Sequence, residues 1–331
     1  MAHDLRIPEE YGIYHTVGDT AGPGGWARAI RNFDVFVGLA EAINQHSPGA
    51  MVLNYTNPMT FLTNVLALTC DGPVVGLCHG LLESLEFLER YYRIRQPDKL
   101  AVAYSGLNHF FWITKAKYGR RDLLKDLRRK LATKTFADLG KEYTADAIGF
   151  FSHCDLATEL FRTAGVMPFT ADRHTCEFMT PYITSKANLK KYRLHRTTIE
   201  FRRELFRNTQ QNVRDLIKVK ELPAEYRERT RETAADIIAA HATGGIFRAV
   251  GNVPNVGQMP DLPSGTVVET PIMVDVNGFT PLPQPRLPAV AAGLLQPCAN
   301  AVNMTVRACF TGDRDLALDR LVAVKLMTAG L

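Results

Sequence analysis

The sequence contains no run of apolar residues that approaches the roughly 18 to 20 needed for a membrane span. Its first residues, MAHDLRIPEE, lack the basic and apolar regions of a secretory signal. The 6 cysteines are scattered without CxxC spacing, which argues against a disulfide framework. Hydrophobic residues make up 46% and charged residues 22% of the 331 positions, so the chain is neither disordered nor fibrous. We therefore predict a soluble, cytoplasmic protein of about two domains.

Several catalytic signatures are also missing. No GxSxG elbow occurs, so the sequence gives no support to a Ser-His-Asp triad. Carboxylates paired at a recognisable spacing are also absent. A strand, a GxGxxG turn and a helix in that order would indicate a dinucleotide-binding unit, and no such unit is present. The cluster Gly22-Pro23-Gly24-Gly25 follows no predicted strand and is weak evidence by itself.

The net charge of +5 is small, but the basic residues are unevenly distributed. The stretch 186–231 holds 14 Lys and Arg residues against 6 Asp and Glu residues. Such a surface can steer an anionic substrate, although the solvated face of long helices explains it more simply. Aromatic residues are not interleaved with the basic ones and no nucleic-acid-binding motif is present, so we predict no nucleic-acid partner.

The first 80 residues alternate between helical and short apolar segments, the pattern of a parallel α/β sheet. Trp26, Ile30 and Val37 recur at helical spacing, and the turn that starts at Ser47 ends this helix. Short strands are predicted at 50–53 and 73–77, with a helix capped by Asn57-Pro58 between them. The region 121–243 is predicted to be mostly helical, 251–282 to be strands and loops, and 287–331 to be helical again.

Polar residues follow the two predicted strands. In doubly wound sheets ligands bind beyond the carboxyl ends of the strands, where Asn54 and Cys78 lie. Cys78 and His109 could together hold a divalent transition metal, although a distant Cys and His are more often structural. His79 could be a general acid or base or simply a residue at a helix start. Asn54 and Asn57 could cap a helix or hydrogen-bond a sugar.

Six ordered segments together resemble glycoside hydrolase family 4, the NAD-dependent and divalent-metal-dependent α-glycosidases. The resemblance covers nearly the whole chain, from about residue 4 to about residue 325. The segments are GDTAGPGG (18–25), NYTNPM (54–59), GLCHG (76–80), GLNHFFW (106–112), GNVPNVGQMPDLP (251–263), and VVETP with VDVNGFTPL (267–282).

The resemblance implies an α/β fold with two parts. Residues 1–77 would be the remaining part of a Rossmann-like, doubly wound NAD-binding domain. Residues 78–331 would form a catalytic, metal-binding α+β domain similar to that of lactate and malate dehydrogenases. The sequence lacks the family's pyrophosphate turn, so we expect it to be truncated at the amino end and slightly at the carboxyl end, with weakened NAD binding.

The resemblance also assigns roles to individual residues. In the family, NAD+ transiently oxidises the sugar at C3, a base removes the C2 proton, and a metal such as Mn2+ stabilises the intermediate as a Lewis acid. By position, Cys78 and His109 would be the metal ligands and His79 would be the acid. Thr233 stands at the position of the family's tyrosine base. Substrate contacts would come from Asn57 and Asn108, and cofactor contacts from Asp19, Gly24, Gly25 and Asn54.

A histidine after the metal cysteine resembles members that act on unphosphorylated α-glucosides, α-galactosides or α-galacturonides. The small-molecule partner would then be a glycoside, and the family implies a homodimer or homotetramer with no membrane partner. Two other functions remain open: an inactive remnant that acts only in binding or oligomerisation, and a 2-hydroxy-acid dehydrogenase. Thr233 in place of tyrosine motivates the first, and a shared architecture motivates the second.

Overall fold

The computed structural model describes residues 2–140, 153–221 and 223–319. Its strands form one mixed sheet in the order β1-β2-β7-β8-β3-β4-β5, with β6 paired to β4 and β9 paired to β8. The strands are β1 (Val52–Asn54), β2 (Val74–Gly76), β3 (Leu100–Leu107), β4 (Phe110–Tyr118), β5 (Arg121–Asp122), β6 (Met167–Pro168), β7 (Phe247–Pro254), β8 (Val267–Asp275) and β9 (Gly278–Pro281).

Helices cover the sheet and extend from it. They are α1 (Ala2–Glu10), α2 (Gly22–His46), α3 (Met59–Thr69), α4 (Gly80–Tyr91), α5 (Leu123–Leu131), α6 (Phe136–Leu139), α7 (Asp155–Ala164), α8 (Asp172–Thr175), α9 (Lys186–Lys191), α10 (Ile199–Lys218), α11 (Ala234–Thr243) and α12 (Ala289–Thr311). Within the described ranges, none of the helices has both the length and the apolar character to cross a bilayer.

The predicted α/β class is confirmed, and β1 and β2 form the expected parallel pair. Helix α2 ends where the Ser47 turn predicts it. Strand β1 begins two residues later than predicted because the Ala50 N–H is held by the Ser47 carbonyl in the turn. Helix α3 begins at Met59 with Pro58 at the cap position, one residue later than predicted. The predicted division between residues 77 and 78 stays a prediction.

The remaining strands are antiparallel, and they meet the parallel pair where β7 pairs with β2. At this junction the register sets four residues in one row across neighbouring strands: Gly76, Asn252, Glu269 and Gly106. Side chains two residues apart on a strand share a face of the sheet. The row therefore places Asn252 and Glu269 at the centre of the sheet, between the strands that lead to the two predicted metal ligands.

Helix α10 carries much of the basic stretch and buries none of its residues. Its apolar side chains Phe201, Leu205, Phe206, Val213 and Ile217 are all exposed. The α4 side of the sheet is filled by a cluster that includes Leu88, Phe111, Leu127 and Phe161. The sheet is thus held by a large apolar core, while the predicted helical region contributes a long solvated helix.

Candidate active site

Cys78 lies two residues beyond the end of β2 and two residues before the start of helix α4. The Gly80 N–H donates to its sulfur at 3.4 Å, as the start of a helix allows. Burial and then the nearby Glu269 carboxylate raise the pKa of the Cys78 thiol to about 12. A cation at the sulfur would favour the thiolate and reverse this effect.

His109 occupies the two-residue connection between β3 and β4, with a left-handed φ of 63°. Non-glycine residues seldom adopt this conformation, and it is common at sites where a side chain must be aimed. The His109 Nε2 lies 3.3 Å from the Cys78 Sγ, so the structure brings the two predicted ligands together. Burial, followed by the charge of His79, lowers the pKa of His109 to about 4, and the ring is neutral at pH 7.

The other ring nitrogen of His109 lies 3.4 Å from the hydroxyl of Thr20. That hydroxyl donates to Asp19 Oδ1 at 2.9 Å, so it can accept a hydrogen bond from the His109 Nδ1–H. This arrangement fixes the tautomer and leaves the Nε2 lone pair facing Cys78. Asp19 is thus connected to His109 through the Thr20 hydroxyl. The sequence analysis did not predict a role for Thr20.

The donor set fits a divalent transition metal. A thiolate and a neutral imidazole are soft to intermediate ligands, and the two donor atoms lie 3.3 Å apart. Within the described part of the chain, no cluster of three His, Cys, Asp or Glu side chains forms a closed metal site. Because Cys78 and His109 are two ligands, an ion held by this pair alone would keep positions for water or for substrate oxygens, as catalytic metals do.

His79 is the capping residue of helix α4 and its side chain is about half exposed, at 49%. Its Nε2 lies 3.3 Å from Glu83, and its Nδ1 lies 3.4 Å from Glu232. Burial and then Glu86 raise the pKa of Glu83 to about 7. The carboxylates of Glu83 and Glu232 orient the His79 ring beside Cys78. In the sequence, only the i,i+4 spacing of Glu83 from His79 indicates this contact.

Thr233 lies next to Glu232 and caps helix α11. The contact between Glu232 and His79 brings Thr233 close to the candidate site. A threonine hydroxyl does not lose its proton near neutral pH, so it cannot serve as a base there. The Tyr55 hydroxyl donates to Glu232 at 3.1 Å. Burial and then Glu232 raise the pKa of Tyr55 to about 12, which disfavours its phenolate. Sequence reasoning missed Tyr55 and Glu232.

Asn54 and Asn57 lie where the sequence places them, at the end of β1 and before α3. The Asn54 amide donates to the Thr63 hydroxyl at 2.9 Å, and its oxygen accepts the Thr56 N–H at 2.8 Å. The Asn57 oxygen accepts from the Met59 N–H at 3.2 Å. These bonds organise the turn that exposes Tyr55, and the predicted contacts of Asn54 with cofactor and of Asn57 with substrate stay predictions.

Gly24 and Gly25 lie in the first turn of α2. The Gly24 N–H donates to His15 at 3.1 Å, and a Cβ there would come 2.7 Å from the Asp4 carbonyl. The Gly25 N–H donates to the Ala21 carbonyl, and a Cβ there would lie 2.5 Å from Thr20 backbone. Close packing therefore requires both glycines, and these two N–H groups are already used within the protein.

Asn108, predicted to contact substrate, is fully buried. Its amide donates to Glu269 Oε2 at 3.1 Å, and the Asn252 amide donates to the same oxygen at 3.3 Å. The Glu269 carboxylate was not singled out from the sequence, although it lies in VVETP. The polar row of the sheet thus reaches the connection that carries His109.

Two arginines lie on the other side of the predicted site. Arg202 donates to the Val17 carbonyl at 2.6 Å and lies 3.6 Å from Asp19 Oδ2. Its Nε is buried and has no hydrogen-bond partner among the described residues. Arg173 precedes His174, whose ring centroid lies 4.2 Å from that of His109. Burial and then the charge of Arg202 lower the pKa of Arg173.

Among the described residues, the carboxylates of Glu177 and Asp19 act on these two guanidinium groups. Glu177 is fully buried and already accepts from His15, from the Val17 and Gly18 N–H groups, and from the Thr16 hydroxyl. Asp19 is the carboxylate that remains beside Arg202. The buried Nε of Arg202 offers a charged donor for an additional anion at this place.

Comparison with protein families settles the classification. A model described as the family 4 glycosyl hydrolase matches residues 1–94, and one described as the family 4 glycosyl hydrolase C-terminal domain matches residues 104–327. The chain belongs to glycosyl hydrolase family 4. Its members are hydrolases that act on glycosyl compounds, and the resemblance predicted from the ordered motifs is thereby confirmed.

Individual family 4 proteins resemble the chain along most of its length. It is 32% identical to an α-galacturonidase of Thermoanaerobacterium saccharolyticum, covering all of this chain and 73% of that protein. A solved Bacillus subtilis structure described as a glucosidase superposes with a TM-score of 0.85 at 31% identity, covering 97% of this chain and 75% of that one. A 6-phospho-α-glucosidase from gut microorganisms, solved with NAD and Mn2+, shares the fold at a TM-score of 0.75 and 21% identity, covering 99% of this chain and 74% of that one.

Proposed function

We propose that the protein hydrolyses unphosphorylated α-glycosides, with α-galacturonides as the preferred class, and uses a divalent transition metal and NAD. The observation that carries this proposal is the 3.3 Å approach of the Cys78 sulfur to the His109 Nε2, with the other nitrogen of His109 occupied by Thr20. The two donor atoms are close enough to bind one metal ion together. The α-galacturonidase and the NAD- and Mn2+-bound relative support the substrate and the cofactors.

Cys78 and His109 would hold the metal, with Mn2+ as the expected ion. When bound, NAD+ supplies transient oxidation of the sugar, and the metal supplies Lewis-acid polarisation of the sugar oxygens. The carboxyl ends of β1 and β2 lie side by side, which is where doubly wound sheets bind nucleotides, so this region fits the cofactor. The Gly24 and Gly25 N–H groups do not fit a pyrophosphate, because both are already donated internally.

His79 is the proposed general acid for the leaving oxygen. Its side chain is half exposed beside Cys78, and the carboxylates of Glu83 and Glu232 lie within 3.4 Å of its two ring nitrogens and hold the ring in place. Glu232 is the carboxylate nearest to the Thr233 position and is held by Tyr55. We propose that Glu232, not the Thr233 hydroxyl, accepts a proton at this place.

Arg202 supports the choice of a uronide. A carboxylate on the sugar could accept from the buried Nε of Arg202, which has no partner in the described ranges. A neutral α-galactoside or α-glucoside is the second candidate, and it would leave this donor unpaired. Assembly as a homodimer or homotetramer stays a prediction.

The test compares 4-nitrophenyl α-galacturonide with the α-galactoside and α-glucoside, with Mn2+ and NAD+ present. We expect Cys78→Ser to abolish both Mn2+ binding and turnover. Arg202→Met should lower kcat/KM for the uronide by about 30-fold or more, because a charge-assisted hydrogen bond is lost, with little change for the galactoside. Arg121→Met, at the far edge of the sheet, is the control. Preference for a neutral glycoside would refute the uronide, and no turnover of any glycoside would favour the inactive remnant.

A further inference from the structure

The two metal ligands belong to different strands of the sheet. Cys78 comes two residues after Gly76 on β2, and Asn108, the neighbour of His109, comes two residues after Gly106 on β3. Strands β7 and β8 separate β2 from β3. Residues on β7 and β8 therefore lie between the two strands that lead to the ligands.

The row Gly76, Asn252, Glu269 and Gly106 spans these four strands. The glycine at one end makes room for the polar side chains, since a Cβ at Gly76 would come 3.0 Å from the Asn252 Cβ. Side chains of the row share a face with residues two positions away on each strand. Asn252 and Glu269 are thus directed to the face on which Cys78 and Asn108 lie.

One carboxylate oxygen joins the two ligand-bearing segments. Glu269 Oε2 accepts from the Asn108 amide at 3.1 Å and from the Asn252 amide at 3.3 Å. The Asn252 amide also donates to the Gly76 carbonyl at 3.4 Å, on the strand that leads to Cys78.

Because Asn108, Asn252 and Glu269 are buried, their hydrogen bonds to one another strongly restrict the orientation of their side chains. Asn108, Asn252 and Glu269 are all 0% exposed, so no bulk water can replace a broken bond. Within the described residues, Asn108 Oδ1 and Asn252 Oδ1 have no donor, and each amide is therefore oriented by its N–H groups. Loss of the Glu269 oxygen would free both amides at once.

We propose that Glu269 is a positioning residue that fixes the separation of Cys78 and His109 through Asn108 and Asn252, and thereby sets the metal affinity. This inference rests on the proposed metal role of Cys78 and His109. Glu269 touches no reacting atom, and its action is transmitted through two hydrogen-bonded amides. The second layer of a metal site typically contributes 10- to 100-fold in affinity.

The test measures Mn2+ affinity by the spin resonance of free Mn2+, and the thiolate-to-cobalt charge-transfer band after Co2+ loading, without NAD or substrate. Glu269→Leu should weaken Mn2+ binding by about tenfold or more and diminish the cobalt band. Glu269→Gln should stay close to the wild type, because its remaining carbonyl oxygen still accepts from both amides. Asp126→Leu removes another buried carboxylate, on α5, and should lower thermal stability without changing either signal.

If Glu269→Leu does not fold, Asn252→Ala decides the question, because it breaks only the connection between Glu269 and β2. A weakened cobalt band with Asn252→Ala would support the inference. The inference is overturned if both Glu269→Leu and Asn252→Ala bind Mn2+ with wild-type affinity. If Glu269→Leu does not fold, wild-type Mn2+ affinity in Asn252→Ala alone overturns it. Cys78→Ser separates the two proposals: if it leaves Mn2+ binding unchanged, the metal site itself is wrong, and if it abolishes binding while the Glu269 variants do not alter it, only the positioning role is wrong.

Discussion

Replacement of Glu177 by glutamine tests how the loop that carries Thr20 is held. One oxygen of Glu177 accepts from the Val17 N–H at 2.6 Å, from the Gly18 N–H at 2.8 Å and from His15 Nδ1 at 3.1 Å. Glu177→Gln keeps an acceptor at this place but removes the charge. Because hydrogen bonds to a charged group contribute about 1.5 to 3 kcal/mol, we expect a loss of about 2 kcal/mol in the free energy of unfolding at pH 7.

The lowered pKa of Glu177 determines how the stability loss of Glu177→Gln changes with pH. Burial would raise the pKa of Glu177, but His15 and the backbone N–H groups outweigh burial and hold the pKa below its usual range. A depressed folded-state pKa stabilises the protein above the unfolded value of about 4.3, and this contribution is lost as the pH falls through the folded value. The gap between wild type and variant should therefore close in strong acid.

Urea unfolding at pH 7 and below pH 4 measures the effect. Glu159→Gln is the control, since Glu159 accepts from the hydroxyls of Tyr182 and Tyr192 nearer the surface. The reasoning is refuted if Glu177→Gln is as stable as the wild type at pH 7, or if its deficit is equally large in acid.

Four further substitutions have defined outcomes. Thr20→Val removes the partner of His109 Nδ1 and should weaken Mn2+ binding by about 10- to 100-fold, measured by calorimetry, with the fold intact. Gly25→Ala should destabilise the protein by about 2 kcal/mol in thermal unfolding, because its Cβ would meet Thr20 backbone at 2.5 Å. Gly38→Ala in the same helix meets no atom within 4 Å and should stabilise instead. Glu83→Gln should gain about 2 kcal/mol relative to wild type between pH 5 and pH 8, because the raised pKa of about 7 makes ionisation of Glu83 unfavourable in the folded state; equal pH profiles would contradict this.

Local sequence patterns predicted the elements that carry the ligands. Apolar runs that end in polar residues located β1 and β2, and the polar interruption between two strand segments located His109. The N-terminal boundaries shifted by one or two residues because turn hydrogen bonds, such as that of Ala50, compete with strand pairing.

Contacts between distant segments were not predictable in the same way. Glu269, Asn252 and Arg202 reach the site through strand register and helix packing, and no spacing in the sequence encodes either. Glu177 would be read as a surface residue from its type, yet it is buried because four donors from residues 15–18 surround it. Motif order identified the family, whereas tertiary structure supplies the residues that hold the motifs in place.

The site lies at a seam in the sheet. Cys78 follows the parallel pair, His109 belongs to the antiparallel strands, and β2 and β7 share one register pair between Gly76 and Asn252. Separation of these two parts would pull the ligands apart while the helices and strands of each part persisted. Metal binding therefore reports whether the parallel and antiparallel parts of the sheet remain in contact. On heating, metal binding should be lost before the circular dichroism signal of the helices is lost.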